Sequence, residues 1–154
     1  MKFRVWLAGI SLAIGWMAAA PSWAADYQIG AISIDAPWAR GSLRERGTFA
    51  VYFTITNDGE NDRLILATTP AAEEIEFRET VVQSDVIRAA RLNNVNIPGG
   101  THSFNPRSAH LLMLRSGVVP IGTVITVTLT FELAGTVEIQ VPVLDPRAVG
   151  PNPD

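Results

Sequence analysis

The chain has 154 residues, no cysteine, two histidines and a formal net charge of −3. The missing cysteines exclude thiolate chemistry and disulfides. The acidic balance, 12 basic against 15 acidic residues, lacks the clustered cations that nucleic-acid phosphates require.

Residues 1–24, "MKFRVWLAGISLAIGWMAAAPSWA", begin with Lys2 and Arg4 and continue as an apolar run from Val5 to Ala20. They end on small residues, with Ser22 and Ala24 at the −3 and −1 positions of a signal-peptidase site. This pattern predicts an exported protein, cleaved after Ala24. A retained membrane anchor is the weaker reading, because the run is short and broken by glycines. Cleavage would leave 10 basic residues against 15 acidic ones, with Met113 as the one methionine. That length supports a single core. No later run is long enough to span a bilayer, so no membrane contact is expected after cleavage.

From there the chain alternates with period two, the mark of half-buried strands. In "TFAVYFTITN", Phe49, Val51, Phe53 and Ile55 share one face, and Ala50, Tyr52, Thr54 and Thr56 the other. "NDGEND" follows as a turn. "RLILATT" and "EEIEFRE" alternate briefly, with Ile75 and Phe77 opposite Glu74, Glu76 and Arg78. "PGG" at 98–100 supplies a turn in which glycine takes positive φ. "TVITVTLTFEL" directs Ile125, Val127, Leu129, Phe131 and Leu133 inward, and "VEIQVPV" does the same for Val137, Ile139, Val141 and Val143. With a turn around "LAGT" these form a hairpin. No segment has a helical period of useful length, and "PAAEEIEF" offers one turn at most. Many short strands separated by Gly, Pro, Asn and Asp predict an all-β antiparallel sandwich or barrel. The tail "DPRAVGPNPD", residues 145–154, has three prolines and no apolar period, which predicts mobility.

An enzymatic reading finds little to work with. The serines lie in no nucleophile-elbow context, and no Gly-rich loop is suited to phosphate. Glu73/Glu74 and Glu76/Glu79 read as a solvated, outward-facing edge rather than an acid/base pair. Soft-metal binding is the other chemistry on offer, through His102, His110 and Met113. On a regular strand His110 and Met113 point to opposite faces, so one metal would need a bulge between them. If "NPRS" is a hairpin turn, His102 approaches His110 or Met113 according to a register the sequence does not give. The plainer reading makes His110 a hydrogen-bonded strand-end residue and Met113 core filler.

"DAPWARGSLRERGTFAVYFTITNDGENDRLI", "EEIEFRETVVQSDVIRAARL", "NIPGGTHSFNPRSAHLLML" and "GTVITVTLTFELAGTVEIQVPV" occur in this order. Together with Trp38-Ala39-Arg40 they resemble the PCu(A)C-type periplasmic copper chaperones over nearly the whole mature chain. The resemblance implies a cupredoxin-like, Greek-key β-sandwich over residues 25–144. It implies Cu(I) held by a His, a Met eleven positions on, and a later His-x-Met. It also implies delivery to copper-assembly proteins or to the copper subunits of cytochrome oxidase. Carried over, the family's ligand positions fall on Arg78, at or near Ala89, on His110 and on Leu112, with Met113 displaced by one residue. Arginine stays protonated and has no lone pair to give, and alanine and leucine have no donor atom. The expectation is a periplasmic, non-enzymatic copper-chaperone-family protein with a degenerate or relocated site, Cu(I) being weakly held or absent. The alternative is an interaction module that keeps only the fold.

Overall fold

A computed structural model describes residues 27–41 and 47–151. The expected signal segment and its cleavage point after Ala24 lie outside the described residues. The elements are β1 (Tyr27–Ile29), β2 (Ile32–Arg40), β3 (Gly47–Asn57), β4 (Asp62–Thr68), β5 (Ala72–Gln83) and β6 (Val86–Leu92). They continue as β7 (Val95–Ile97), β8 (Gly100–Phe104), β9 (Ala109–Ser116), β10 (Val124–Phe131) and β11 (Gly135–Leu144). The described residues contain no helix.

The β10–β11 hairpin shows how the sequence forms its strands. Alternating Val, Ile, Leu and Phe on one face and Thr on the other suit a pleated, half-buried surface. The pair runs in unbroken register from Val124 opposite Pro142 to Phe131 opposite Gly135, where φ of 101° suits glycine. Ile125, Val127, Leu129, Phe131, Ile139, Val141 and Val143 are buried as expected, and Val137 packs against the core. Leu133 departs from the expectation and is exposed, because it sits in the turn, where strand alternation has ended.

Hydrogen-bonded neighbours run β6-β5-β9-β3-β2-β11-β10-β4-β7, with β1 beside β2 and β8 beside β3. One pairing is parallel, where Val143 and Leu144 of β11 meet Ala39 and Arg40 of β2. It joins two antiparallel layers, one carrying β2, β3, β5, β8 and β9 and the other β4, β7, β10 and β11. Their inward side chains form a single apolar cluster, from Phe49, Val51 and Met113 to Val127, Leu129 and Ile139. One face of each layer is dry, as in a β-sandwich. Asn57 satisfies the buried start of the "NDGEND" turn. Its Oδ1 accepts from Gly59 N at 2.9 Å, and its Nδ2 donates to the carbonyls of Glu60 and Ile97, each at 2.8 Å.

The β8–β9 connection places the candidate ligands. Both strands pair with β3, β8 along Phe53–Asn57 and β9 along Gly47–Val51, so they lie end to end instead of folding on one another. Asn105–Ser108 is a short excursion between them. The Ser108 hydroxyl holds it, donating to Ser103 O at 2.6 Å and accepting from Asn105 N at 3.1 Å. Beyond β11, Ala148 O accepts a 3.0 Å bond from Arg40 Nε.

Candidate functional site

On the outer face of the first layer, β5 and β9 run antiparallel with Arg78 directly opposite His110 and Glu76 opposite Leu112. On its other side β5 pairs with β6, which sets Arg78 against Arg91 and Thr80 against Ala89. Because side chains alternate, Glu76, Arg78, Thr80, Ala89, Arg91, His110 and Leu112 all share this face. Arg78, Ala89, His110 and Leu112, far apart in sequence, therefore converge. Arg78 Nη1 donates to Ala89 O at 3.3 Å.

The charges on this face are paired across strands. Glu76 is only 7% exposed, which corrects the expectation of a solvated edge at this residue, since β6 rather than β5 is the edge strand, whereas Glu73 and Glu79 are exposed as expected. Its Oε2 accepts from Arg78 Nε at 2.7 Å, and its Oε1 lies 3.0 Å from Arg91 Nη1. Arg91 also reaches Glu74 at 3.5 Å, and Arg115 joins Glu74 at 2.7 Å and Glu73 at 2.8 Å. A buried carboxylate is tolerable only when its lone pairs are met, and two guanidiniums meet them here. The same contacts hold the Arg78 guanidinium against Glu76 and the Ala89 carbonyl of β6.

His110 contacts aromatic neighbours on its other side. The Tyr52 ring centre lies 6.1 Å from that of His110, and the Trp38 ring 4.6 Å from Tyr52. Arg40 sits 5.6 Å from the Tyr52 ring centre and 5.9 Å from that of Trp38, within cation–π range. Trp38 reaches this face through a bulge. Ala36, at a φ of 46°, and Pro37 break the β2–β3 register between Asp35 and Trp38, which reverses the strand's alternation. Burial raises the Tyr52 pKa, and the positive charge of Arg40 partly offsets this, so the phenol stays neutral. His110 Nδ1 lies 3.1 Å from Ser108 O. A carbonyl only accepts, so Nδ1 carries a hydrogen, and Nε2 is the ring nitrogen left to offer a lone pair.

The alternative set of His102, His110 and Met113 is spread out. Met113 is fully buried on the inner face, opposite Phe49 and Ile75. His102 pairs with the buried Ile55 and donates from Nε2 to Pro98 O at 2.7 Å. It stands on the opposite face from His110 and about 20 Å along β3 from Met113, at ~3.4 Å per residue. Among the described residues no three His, Asp, Glu or Cys side chains are grouped to hold a metal ion. The donor chemistry at the four converging positions does not fit copper either, since His110 alone offers a soft lone pair. The resemblance singled out Arg78, Ala89, His110 and Leu112, and the strand register sets them on one face. It missed Glu76, Arg91, Tyr52 and Trp38, whose roles depend on register and on the β2 bulge.

A second buried acid has a structural role. Asp62 accepts from Arg63 N at 2.7 Å, Leu133 N at 2.9 Å and Ala134 N at 2.9 Å, pinning the β10–β11 turn to β4. Burial raises its pKa, but these amides together with that of Glu132 outweigh burial and leave it below 3.8.

Known proteins give a consistent picture. The copper-bound PCuAC domain from PmoF2 is 25% identical, with a TM-score of 0.68, covering 79% of this chain and 99% of that one. The apo form of the same domain is 26% identical, with a TM-score of 0.69, covering 82% and 99%. The Cu(I) form of DR1885 from Deinococcus radiodurans is 20% identical, with a TM-score of 0.55, covering 71% and 76%, and bears on the fold alone. No curated protein matches the chain. The fold is the cupredoxin-like sandwich of these copper-chaperone domains. The family model described as "Putative lipoprotein LpqE-like" matches residues 32–143, and the chain belongs to this LpqE-like, PCuAC-related family.

Proposed function

We propose that this chain is an exported copper-chaperone-family protein that keeps the family's sandwich but no longer carries Cu(I) at the family's site. It acts by binding a partner in the cell envelope, among the proteins that assemble copper centres. Export rests on the three-part pattern of residues 1–24. The observation that carries the reading is Arg78. It stands opposite His110 in the β5–β9 register, and its guanidinium is held by a buried carboxylate and the Ala89 carbonyl. A guanidinium brings no lone pair, so the position facing His110 across the register offers a metal no donor.

The reading is tested by competing the purified mature protein against a chromogenic Cu(I) chelator, in parallel with His110→Ala. The expected result is no stoichiometric uptake at micromolar chelator affinity, with the two proteins indistinguishable. Binding tighter than micromolar that disappears in His110→Ala would overturn it.

A further inference from the structure

The outer edge of β6 is the second feature of this layer. Among the described residues β6 ends the sheet and pairs only with β5, in unbroken register from Phe77 opposite Leu92 to Gln83 opposite Val86. The turn between them is the two residues Ser84 and Asp85, both at positive φ, the geometry of a tight hairpin. β5–β9 pairing ends at Glu79 opposite Ala109, so the hairpin tip extends past β9 as a two-stranded ribbon. At the tip Val82 and Ile87 face each other across the strands and are 70% and 73% exposed, with Val81 and Val86 also exposed.

The backbone direction follows from one hydrogen bond. Thr80 N donates to Ser108 O on the β9 side, so Thr80 and Ala89 form a non-hydrogen-bonded pair. Ala89 therefore turns its N–H and C=O away from β5, and by alternation so do Ile87 and Arg91. An edge of this kind is usually blunted by lysine, proline or a bulge. β6, "VIRAARL", contains no lysine or proline, and its pairing with β5 shows no register shift. Its charges are Arg88 and Arg91, with no acid. Arg91 is paired to Glu74 and Glu76, whereas Arg88 is exposed with no ion-pair partner among the described residues.

We propose that β6 is a strand-addition site. An extended segment of a partner protein, aliphatic where it meets Ile87 and acidic where it meets Arg88, continues the sheet outward. Main-chain bonds to Ile87, to Arg91 and to the Ala89 N–H, whose carbonyl already accepts from Arg78, supply affinity, and the alternating side chains supply selectivity. Charge selects a foreign strand over a second copy, since β6 paired with itself brings the unpaired Arg88 of each chain into one ladder, whereas a foreign strand can offer it an acid. Nothing in this assignment depends on whether the chain holds Cu(I).

The probe is a capped heptapeptide of alternating valine and glutamate, titrated into the mature protein while backbone amide shifts and hydrogen exchange are followed by NMR. Shifts confined to residues 79–92 are expected, with exchange at Ile87, Ala89 and Arg91 slowed about tenfold or more at saturation. The same peptide with alternate backbone nitrogens methylated should lose the effect. Arg88→Glu should weaken the glutamate peptide about threefold and favour its lysine counterpart, with amide shifts outside β5–β6 unchanged as proof of fold. No response at millimolar peptide, a response elsewhere on the surface, or an equal response to the methylated peptide overturns the proposal. Slowed exchange of the same amides with rising protein concentration alone would assign the edge to self-pairing and also overturn it.

Discussion

The two faces of the β5–β9 pair are built from the same strands and obey different rules. On the inner face Met113 meets Phe49 and Ile75, and every neighbour is apolar, so any side chain of suitable volume satisfies the site. On the outer face Glu76, Arg78, Arg91 and His110 present charges and donors that particular partners must meet, within β5 for Glu76 and Arg78 and across from β6 for Arg91. Composition and period therefore decide the inner face, and register decides the outer one. A one-residue slip of β9 would exchange His110 for Leu111 and remove both at once.

The contrast can be broken most strongly from inside. Met113→Ala should cost about 3 kcal/mol in urea unfolding, because it opens a cavity at a fully buried position. It should leave the Arg78–His110 face unchanged by NMR. Glu76→Gln comes next, at about 2 kcal/mol, since it withdraws the carboxylate from two guanidiniums that remain partly solvated. Pairing it with Arg78→Gln should recover part of that loss, and full additivity in the double-mutant cycle would contradict the coupling described above. Asp62→Asn should cost about 1 kcal/mol at neutral pH by weakening the clamp on the β10–β11 turn.

Acid should expose the same clamp. The Asp62 pKa is lower in the folded chain than the unfolded value of 3.8, so its contribution is complete above that value and fades as pH falls through the folded pKa. Unfolding measured from pH 6 down to pH 2, as about the accessible range for carboxylates, should show a smaller acid-induced loss in Asp62→Asn than in the parent. The smallest effect belongs to His110→Ala, under about 1 kcal/mol, because the ring is half-buried and its hydrogen bond is to a local carbonyl. A larger loss would mean that the outer face depends on the imidazole for more than its present contacts.

Much of the fold was legible because its signals are local. The alternating Val, Ile and Phe of β10 and β11 and the Asn57–Gly59 turn all carry their reason within ten residues. Leu133 was misread where the strand period was extended into the turn. The site was legible only through the resemblance, since nothing local in "EFRET" or "VIRAARL" says that Arg78 meets His110 or bonds Ala89. Two details defeated local reasoning altogether. The end-to-end arrangement of β8 and β9 places His102 on the other face from His110, and the Ala36 bulge turns Trp38 outward. Both depend on pairing with β3, a long-range choice that no short window contains.

The central claim is that four positions share one face while three of them, Arg78, Ala89 and Leu112, offer copper no donor. The direct test restores the donors together, as Arg78→His with Ala89→Met and Leu112→Met, leaving His110 in place. The account predicts that this variant takes up one equivalent of Cu(I) from a chromogenic chelator while the parent takes up none. A folded variant that still fails to compete would contradict it, as would a parent that competes equally well.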